Sequence, residues 1–233
     1  MNIKVEEKRK EENNREFAYR ILRKNIMSLQ ILPGETLNEG DLSELFHMSR
    51  TPVHEAVIML KEESLVRVIP QSGSKVTHID INILKEGYFL RSVVEPEIIR
   101  QLAGNISQEN AMLLKNNLEQ QEKVLQQEDN IDDFFKLDDR FHKIIYKAAE
   151  KKLVWDAVKK VSSHYDRVRY LDAIRGGTDL REIYEEHKKI YQFLLIGYVS
   201  DFNLNDFYER HLGTYKKHFS RILEDSPEYF DLF

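Results

Sequence analysis

The sequence predicts a mainly α-helical chain in two parts: a small N-terminal unit of three helices and a hairpin, then an all-α antiparallel bundle. Three observations carry this. Between Asp41 and Leu65, two apolar faces at helical spacing meet at a corner. Between Val66 and Thr77 the pattern shortens to β-branched pieces around a glycine-bearing loop. From Asn82 onward only helical spacing is found, with no alternating segment of useful length.

The 233 residues suffice for one large or two modest domains, and 41% apolar content with 12 Phe and 11 Tyr supports a real core. No apolar run approaches the roughly 18 residues of a membrane span. The opening MNIKVEEKRKEENN is charged and lacks a signal-peptide core, so a cytoplasmic chain is expected. With no cysteine, disulfide frameworks and thiolate metal sites are excluded. The net charge of −5 lies entirely beyond residue 78, because the first 78 residues carry twelve basic and twelve acidic side chains. A neutral front part can still bind nucleic acid through a local basic face, with salt-sensitive affinity.

The chain divides into a charged flexible tail (1–12), a front domain (13–79), a helical domain (80–225) and a C-terminal tail (226–233). Phe17, Ile21, Leu22 and Ile26 give a first helix over 14–29, followed by a turn at Pro33-Gly34. Asn38 or Asp41 can cap the second helix, whose apolar face is Leu42, Leu45 and Phe46. His47-Met48 break the pattern. Ser49 is then an N-cap, Pro52 fits the first turn, and Val53, Ala56, Val57 and Leu60 form the next apolar face. Val66–Pro70 and Lys75–Thr77 read as two strands. Two helices at a sharp corner are a helix-turn-helix, and the hairpin makes it winged. An ordinary corner in a helical core would show the same apolar pattern.

The open side of the third helix starts with Ser49, Arg50, Thr51 and His54, residue types that reach base edges and phosphates in a major groove. Arg50 can fork onto a guanine or clamp a phosphate, or simply pair with Glu55 or Asp41. His54 can donate to a base, with a charge that varies near neutral pH. Gly73 suits a wing tip, Lys75 and Arg67 a phosphate contact, and Arg20, Arg23 and Lys24 would extend the positive face.

The order LPGETLNEGDLSELFHMSRTPVHEAVIMLKEESLVRVIPQSGSKV resembles the DNA-binding domain of GntR-family bacterial transcription regulators. The resemblance lies in the PG turn, L-x-E-x-x-L, the S-R-T-P-V-x-E-A block, the L-V strand start and the P-x-x-G-x-x-V wing. It implies binding to double-stranded DNA. Some positions depart from the family pattern. His54 stands where Arg is usual, Val57 where Leu is, Ser64 where Gly is common, Ser72 where Arg or Lys often is, and Gly40 where some members carry Arg.

In the second part, helices are expected over 81–103, 107–128, 130–149, 151–174, 178–198 and 200–224. Asp138 and His142, four apart, share a helix face; His187 and His211 lie within two further helices. One carboxylate and three imidazoles from three helices can converge in a bundle and bind a divalent transition metal, although scattered histidines are more often surface or satisfied core residues. The series Leu90-Arg91-x-x-x-Glu95-Pro96, Asp138-x-x-Phe141-His142, Glu186-His187 and Arg210-His211-Leu212 resembles the all-helical FCD effector domain of the FadR subfamily of GntR regulators. It implies Asp138, His142, His187 and His211 as ligands to zinc, or to nickel or manganese. It also implies Arg91, with Arg169 as a second candidate, closing on a small carboxylate effector. The expected protein is a homodimeric repressor of a pseudo-palindromic operator, released or engaged by an organic acid. It is not expected to be an enzyme: no separate general base, nucleophile elbow or phosphate loop accompanies the metal set. A ligand-independent DNA-binding or interaction protein with a purely structural metal is the other alternative.

Overall fold

A computed structural model describes residues 3–69, 73–198 and 203–232. The chain is mainly helical, with two separate apolar cores. The wing loop at 70–72, with Ser72, and the expected break at Ser200-Asp201 lie outside the described residues.

In the front domain, α1 (Asn14–Met27) opens on a capping box between Asn13 and Glu16 and buries Phe17, Ile21, Leu22 and Ile26. Asn38, not Asp41, caps α2 (Glu39–Leu45), accepting from the N–H groups of Gly40 and Asp41. Ser49 is the N-cap residue of α3 (Arg50–Glu62) by position, without a side-chain capping bond. The corner between α2 and α3 turns at His47, whose φ of 52° breaks the helical path where the apolar spacing fails. Val53, Ala56, Val57 and Leu60 close the core against α1. Strands β2 (Val66–Ile69) and β3 (Gly73–Val76) form the hairpin, in antiparallel register from Val66↔Val76 to Ile69↔Gly73. The Pro33-Gly34 punctuation predicts only a turn between α1 and α2. Thr36–Leu37 is in fact a third strand, β1, on the other edge of β3, so the sheet order is β1-β3-β2.

The bundle comprises α4 (Ile81–Leu102), α5 (Gln108–Val124), α6 (Ile131–Ala148), α7 (Lys152–Val161), α8 (Ser163–Ile174), α9 (Leu180–Ile196), α10 (Leu204–Leu212) and α11 (Phe219–Asp225), with a 3-10 turn at Thr214–Lys217. Two expected helices are therefore split. The one over 151–174 breaks at Ser162, where α4 crosses so closely that a side chain on Gly87 would sit 2.9 Å from the Ser162 Cα. The one over 200–224 breaks after Leu212, where Thr214 Oγ1 donates to the freed carbonyl of His211 at 2.8 Å.

Neither terminal segment is a free tail. Lys4 N–H donates to Asn25 at 2.8 Å, and Glu6 and Glu12 both pair with Arg20, so the first residues lie along α1. The alternating glutamates supply the acceptors. At the other end, β5 (Phe230–Asp231) pairs in parallel with β4 (Ile79–Asp80), the joint between the domains, and buries Phe230.

The joint is polar and specific. Ser163 Oγ donates to the Glu63 carbonyl at 2.7 Å. His164 accepts from Asp80 N–H at Nδ1 (2.8 Å), so its Nε2–H donates to the Ser64 carbonyl (3.0 Å). Ser64 is left-handed at φ 59°, a conformation that costs an L-residue about 1–2 kcal/mol. The donors on its carbonyl, from His164 and from Thr77 Oγ1, hold it there.

Burial, reinforced by the Arg167 charge, pushes His164 down to about 4. The unfolded imidazole, near 6.5, takes its proton first as pH falls. His164 therefore adds stability above about pH 6.5 that is lost as pH falls toward 4, by about 3 kcal/mol at most. His164→Gln keeps a donor and an acceptor but does not titrate. Its denaturant midpoint should fall less than the wild type's between pH 7 and 4.5, and equal falls would remove His164 from the account.

Candidate DNA-reading face and metal centre

Ser49, Arg50, Thr51 and His54 all lie exposed on the first turns of α3. The absence of a side chain on Gly40 makes room for Arg50, because a Cβ there would stand 3.2 Å from Arg50 Nη2. His54 Nδ1 lies 2.9 Å from Glu39 Oε1 on α2, so the ring donates there and keeps Nε2 for another partner. Gly73 opens β3 at φ 84° with nothing within 4 Å of its missing side chain, and Lys75 is half-buried on the same strand. Arg20, Arg23 and Lys24 do not extend this face. Arg20 and Lys24 pair with Glu6, Arg20 also with Glu12, and Arg23 with Glu63 at 2.7 Å. They line a cleft of about 950 Å³ between the front domain and the bundle.

Inside the bundle, α6 supplies Asp138 and His142, α9 supplies His187 and α10 supplies His211, all buried. One ring nitrogen of each histidine lies within 4.8 Å of the others. Nε2 of His142 and Nε2 of His211 are 3.5 Å apart. Asp138 Oδ1 lies 3.4 Å from His187 Nε2 and 4.0 Å from His142 Nε2.

The outer nitrogens explain why the rings turn this way. His187 Nδ1 meets Gln121 Oε1 at 2.9 Å, and Gln121 in turn donates to Asn117. His211 Nδ1 meets Glu186 Oε2 at 2.7 Å, and His142 Nδ1 meets Glu95 Oε2 at 3.0 Å. Gln121 and Glu186 accept from Nδ1 of His187 and His211 and leave their Nε2 lone pairs facing inward, as outer partners of metal-bound histidines do, while Glu95 stands beside His142 as a charged neighbour. Burial pushes all three imidazoles down despite their acidic partners, so they are neutral and basic at Nε2. His187 Nε2 is buried with no hydrogen-bond partner. Lone pairs facing one another in a dry interior are costly unless a cation lies between them, so the donor set fits a divalent transition metal.

Arg169 forks onto Asp138 through two hydrogen bonds of 3.0 and 3.1 Å. Burial would raise Asp138, but this guanidinium, with His142 and His187, holds it well below the usual carboxylate range. Arg91 is buried one turn before Glu95, 2.6 Å from its Oε1. Its Nη2 has no hydrogen-bond partner, nor does the buried Tyr208 hydroxyl.

Comparison with known proteins bears on both halves. Residues 14–76 match the model of bacterial regulatory proteins of the gntR family, and residues 86–197 match the FCD domain. The HTH-type transcriptional repressor RspR of Escherichia coli K12 is 39% identical over 153 residues, 66% of this chain and 67% of its own length. An HTH-type regulator of an unstable DNA locus in Streptomyces ambofaciens is 30% identical over 217 residues, 93% of this chain and 89% of its own. The chain belongs to the GntR family. Among solved structures, E. coli McbR/YncC aligns with a TM-score of 0.68 at 16% identity, covering 92% of this chain and 99% of that one. A GntR regulator from Rhodococcus sp. RHA1 aligns at 0.64 and 20%, covering 88% and 95%. These two show that the fold is shared.

This GntR chain is thus a DNA-binding transcription regulator with an FCD domain, not an enzyme. No helix among the described residues is long and apolar enough to cross a membrane. The sequence pattern assigns no role to Glu95, Gln121, Glu186 or Tyr208. Glu186 adjoins His187, and Glu95 is one turn from Arg91, so both could have been suspected. Gln121, 66 residues from His187, carried no local signal. Glu186→Gln should weaken zinc binding by about 10- to 100-fold, read by competition with a chelator, with the helical content unchanged.

Proposed function

We propose that the chain is a homodimeric repressor in which a small carboxylate metabolite, bound beside a metal held by His142, His187, His211 and Asp138, controls affinity for a pseudo-palindromic operator. The observation that carries this is the inward-facing Nε2 set, with His187 and His211 oriented by outer acceptors and His142 beside the Glu95 carboxylate. A bound zinc, nickel or manganese ion would supply a positive centre for an anion, and Arg91 Nη2 and the Tyr208 hydroxyl are unpaired donors in the same interior. A guanidinium favours a carboxylate over a neutral sugar. Two relatives are named as repressors, RspR and the gluconate operon repressor of Bacillus licheniformis, 27% identical over 172 residues. On the DNA side, Arg50, Thr51, His54 and Ser49 would enter the major groove while Gly73 and Lys75 contact backbone from the wing.

Arg169 gives this reading a route between site and DNA. It clamps Asp138 on one side and lines the interdomain cleft on the other, together with Asp139, Lys159, Asp166, Arg23 and Glu63. An anion drawing Arg169 off Asp138 would change the charge facing the front domain, and so favour one disposition of the two DNA-binding units. The test is a thermal-shift screen of zinc-loaded protein with small organic acids and neutral sugars. Acids should raise the melting temperature, sugars should not, and chelation of zinc should abolish the effect. Shifts with sugars alone, or acid shifts indifferent to chelation, would refute the reading.

A further inference from the structure

Three arginines are buried among the described residues, and two of them hold a carboxylate. Arg169 forks onto Asp138, and Arg91 meets Glu95 at 2.6 Å. Arg167 of α8 is the exception. It is wholly enclosed, and its Nε, Nη1 and Nη2 make no hydrogen bond. An unpaired guanidinium in a protein interior is costly, so a buried cation is normally matched by an anion. Burial alone pushes Arg167 down to about 9, with no acid close enough to lift it again, so it is still a cation at pH 7.

Its place in the fold is specific. Ser163 and His164 donate to the Glu63 and Ser64 carbonyls, across the joint between the bundle and the front domain. Arg167 lies four and three residues further along α8, on that same face, and a helical side chain leans back over the turn before it. His164 feels its charge. The acids of the joint are engaged elsewhere. Asp80 caps α4 through the N–H groups of Asn82 and Ile83, and Glu63 pairs with Arg23 at 2.7 Å.

The chemistry of a fitting partner follows from the donor. A guanidinium with both edges free offers a planar fork that matches two oxygens of one anion. A single positive charge, with no second cation acting on it, balances a single negative one. Full enclosure admits only a compact species. We propose that Arg167 is a binding site for a small planar oxyanion of single charge, of the class of nitrate, bicarbonate or formate, held inside the interdomain joint. The site is separate from the metal centre, because Arg169, two residues on, meets Asp138 from the far side of the same helix. An anion on Arg167 would stiffen the link between α8 and the end of α3, the helix that carries Arg50.

The test is thermal unfolding of the full chain, freed of metal by a chelator, in sodium nitrate, formate or chloride at one ionic strength. Chloride has no two-oxygen edge and is the reference. Nitrate and formate should raise the melting temperature of the wild type above that in chloride, saturably, by about 3–6 °C at ten times their dissociation constant. Arg167→Met keeps the bulk, drops the charge and should show no such difference. In chloride it should melt no lower than the wild type, because it removes an unpaired charge rather than half of a pair. Arg167→Lys keeps the charge without the fork and should lose most of the preference. A wild type that responds to the three salts alike would overturn the site, as would a preference retained in Arg167→Met. An Arg167→Met chain that melts far below the wild type in chloride, or fails to fold, would also overturn it, because the guanidinium would then be holding the joint by itself. None of these outcomes bears on the metal reading, which concerns the opposite face of α8.

Discussion

His187→Ala should abolish the rise in melting temperature that zinc confers on the chelator-treated protein. His187 is buried, stacked on Phe141 at 4.3 Å, and its Nε2 makes no hydrogen bond and lies 3.4 Å from Asp138 Oδ1. Removing it takes one of three neutral donors from the centre. The affinity loss should exceed the roughly 10- to 100-fold expected for an outer partner such as Glu186. A ligand present at about 100 times its dissociation constant stabilises by about 2.7 kcal/mol, and that increment should vanish in the variant. The metal-free variant should itself be somewhat less stable, because the stacked ring is lost. The two effects separate cleanly by measuring each protein with and without zinc. If zinc moves neither protein, or moves both equally, the three histidines are not a metal site.

Arg50→Ala should eliminate the preference for operator over random DNA while leaving the fold intact. Arg50 is exposed at the start of α3, has no ion-pair partner among the described residues and sits where Gly40 leaves space. A guanidinium forked onto a base is worth about 1–3 kcal/mol of discrimination, and two half-sites double it. His54 cannot supply a second fork, because with Nδ1 committed to Glu39 only its Nε2 is left to reach a base. Specific and random duplexes compared by fluorescence anisotropy at fixed salt give the answer. Retained discrimination would move the base-reading role away from α3.

Much of this was legible in the sequence where local signals agree with packing. The apolar faces of α1 and α3, the hairpin and the corner at His47 follow from spacing, because each helix buries one stripe against its neighbours; on α2 only Leu42 and Phe46 do so, and Leu45, expected on that face, is exposed at 43%. The convergence of Asp138, His142, His187 and His211 was legible only through family resemblance, since helical spacing fixes a residue's face but not which helices meet. Long-range packing erased other expectations. The approach of α4 at Gly87 breaks what reads as one helix at Ser162. Parallel pairing of β5 with β4 orders a segment whose sequence looks like a tail. Arg20, Arg23 and Lys24 read as a DNA-facing patch, yet acids at Glu6, Glu12 and Glu63 neutralise them on the bundle side. Charge sign is visible in a sequence; the partner supplied by another segment is not.

The most direct measurement is the affinity of the zinc-loaded chain for duplex DNA from its own upstream region, taken with and without each of a panel of small carboxylates. At least one acid should change the dissociation constant by about 5- to 150-fold, the usual span of coupling between sites. The same acid should leave His187→Ala unaffected. An affinity that no acid changes, or one that changes equally in the wild type and His187→Ala, would contradict control of the DNA-reading face from the metal centre.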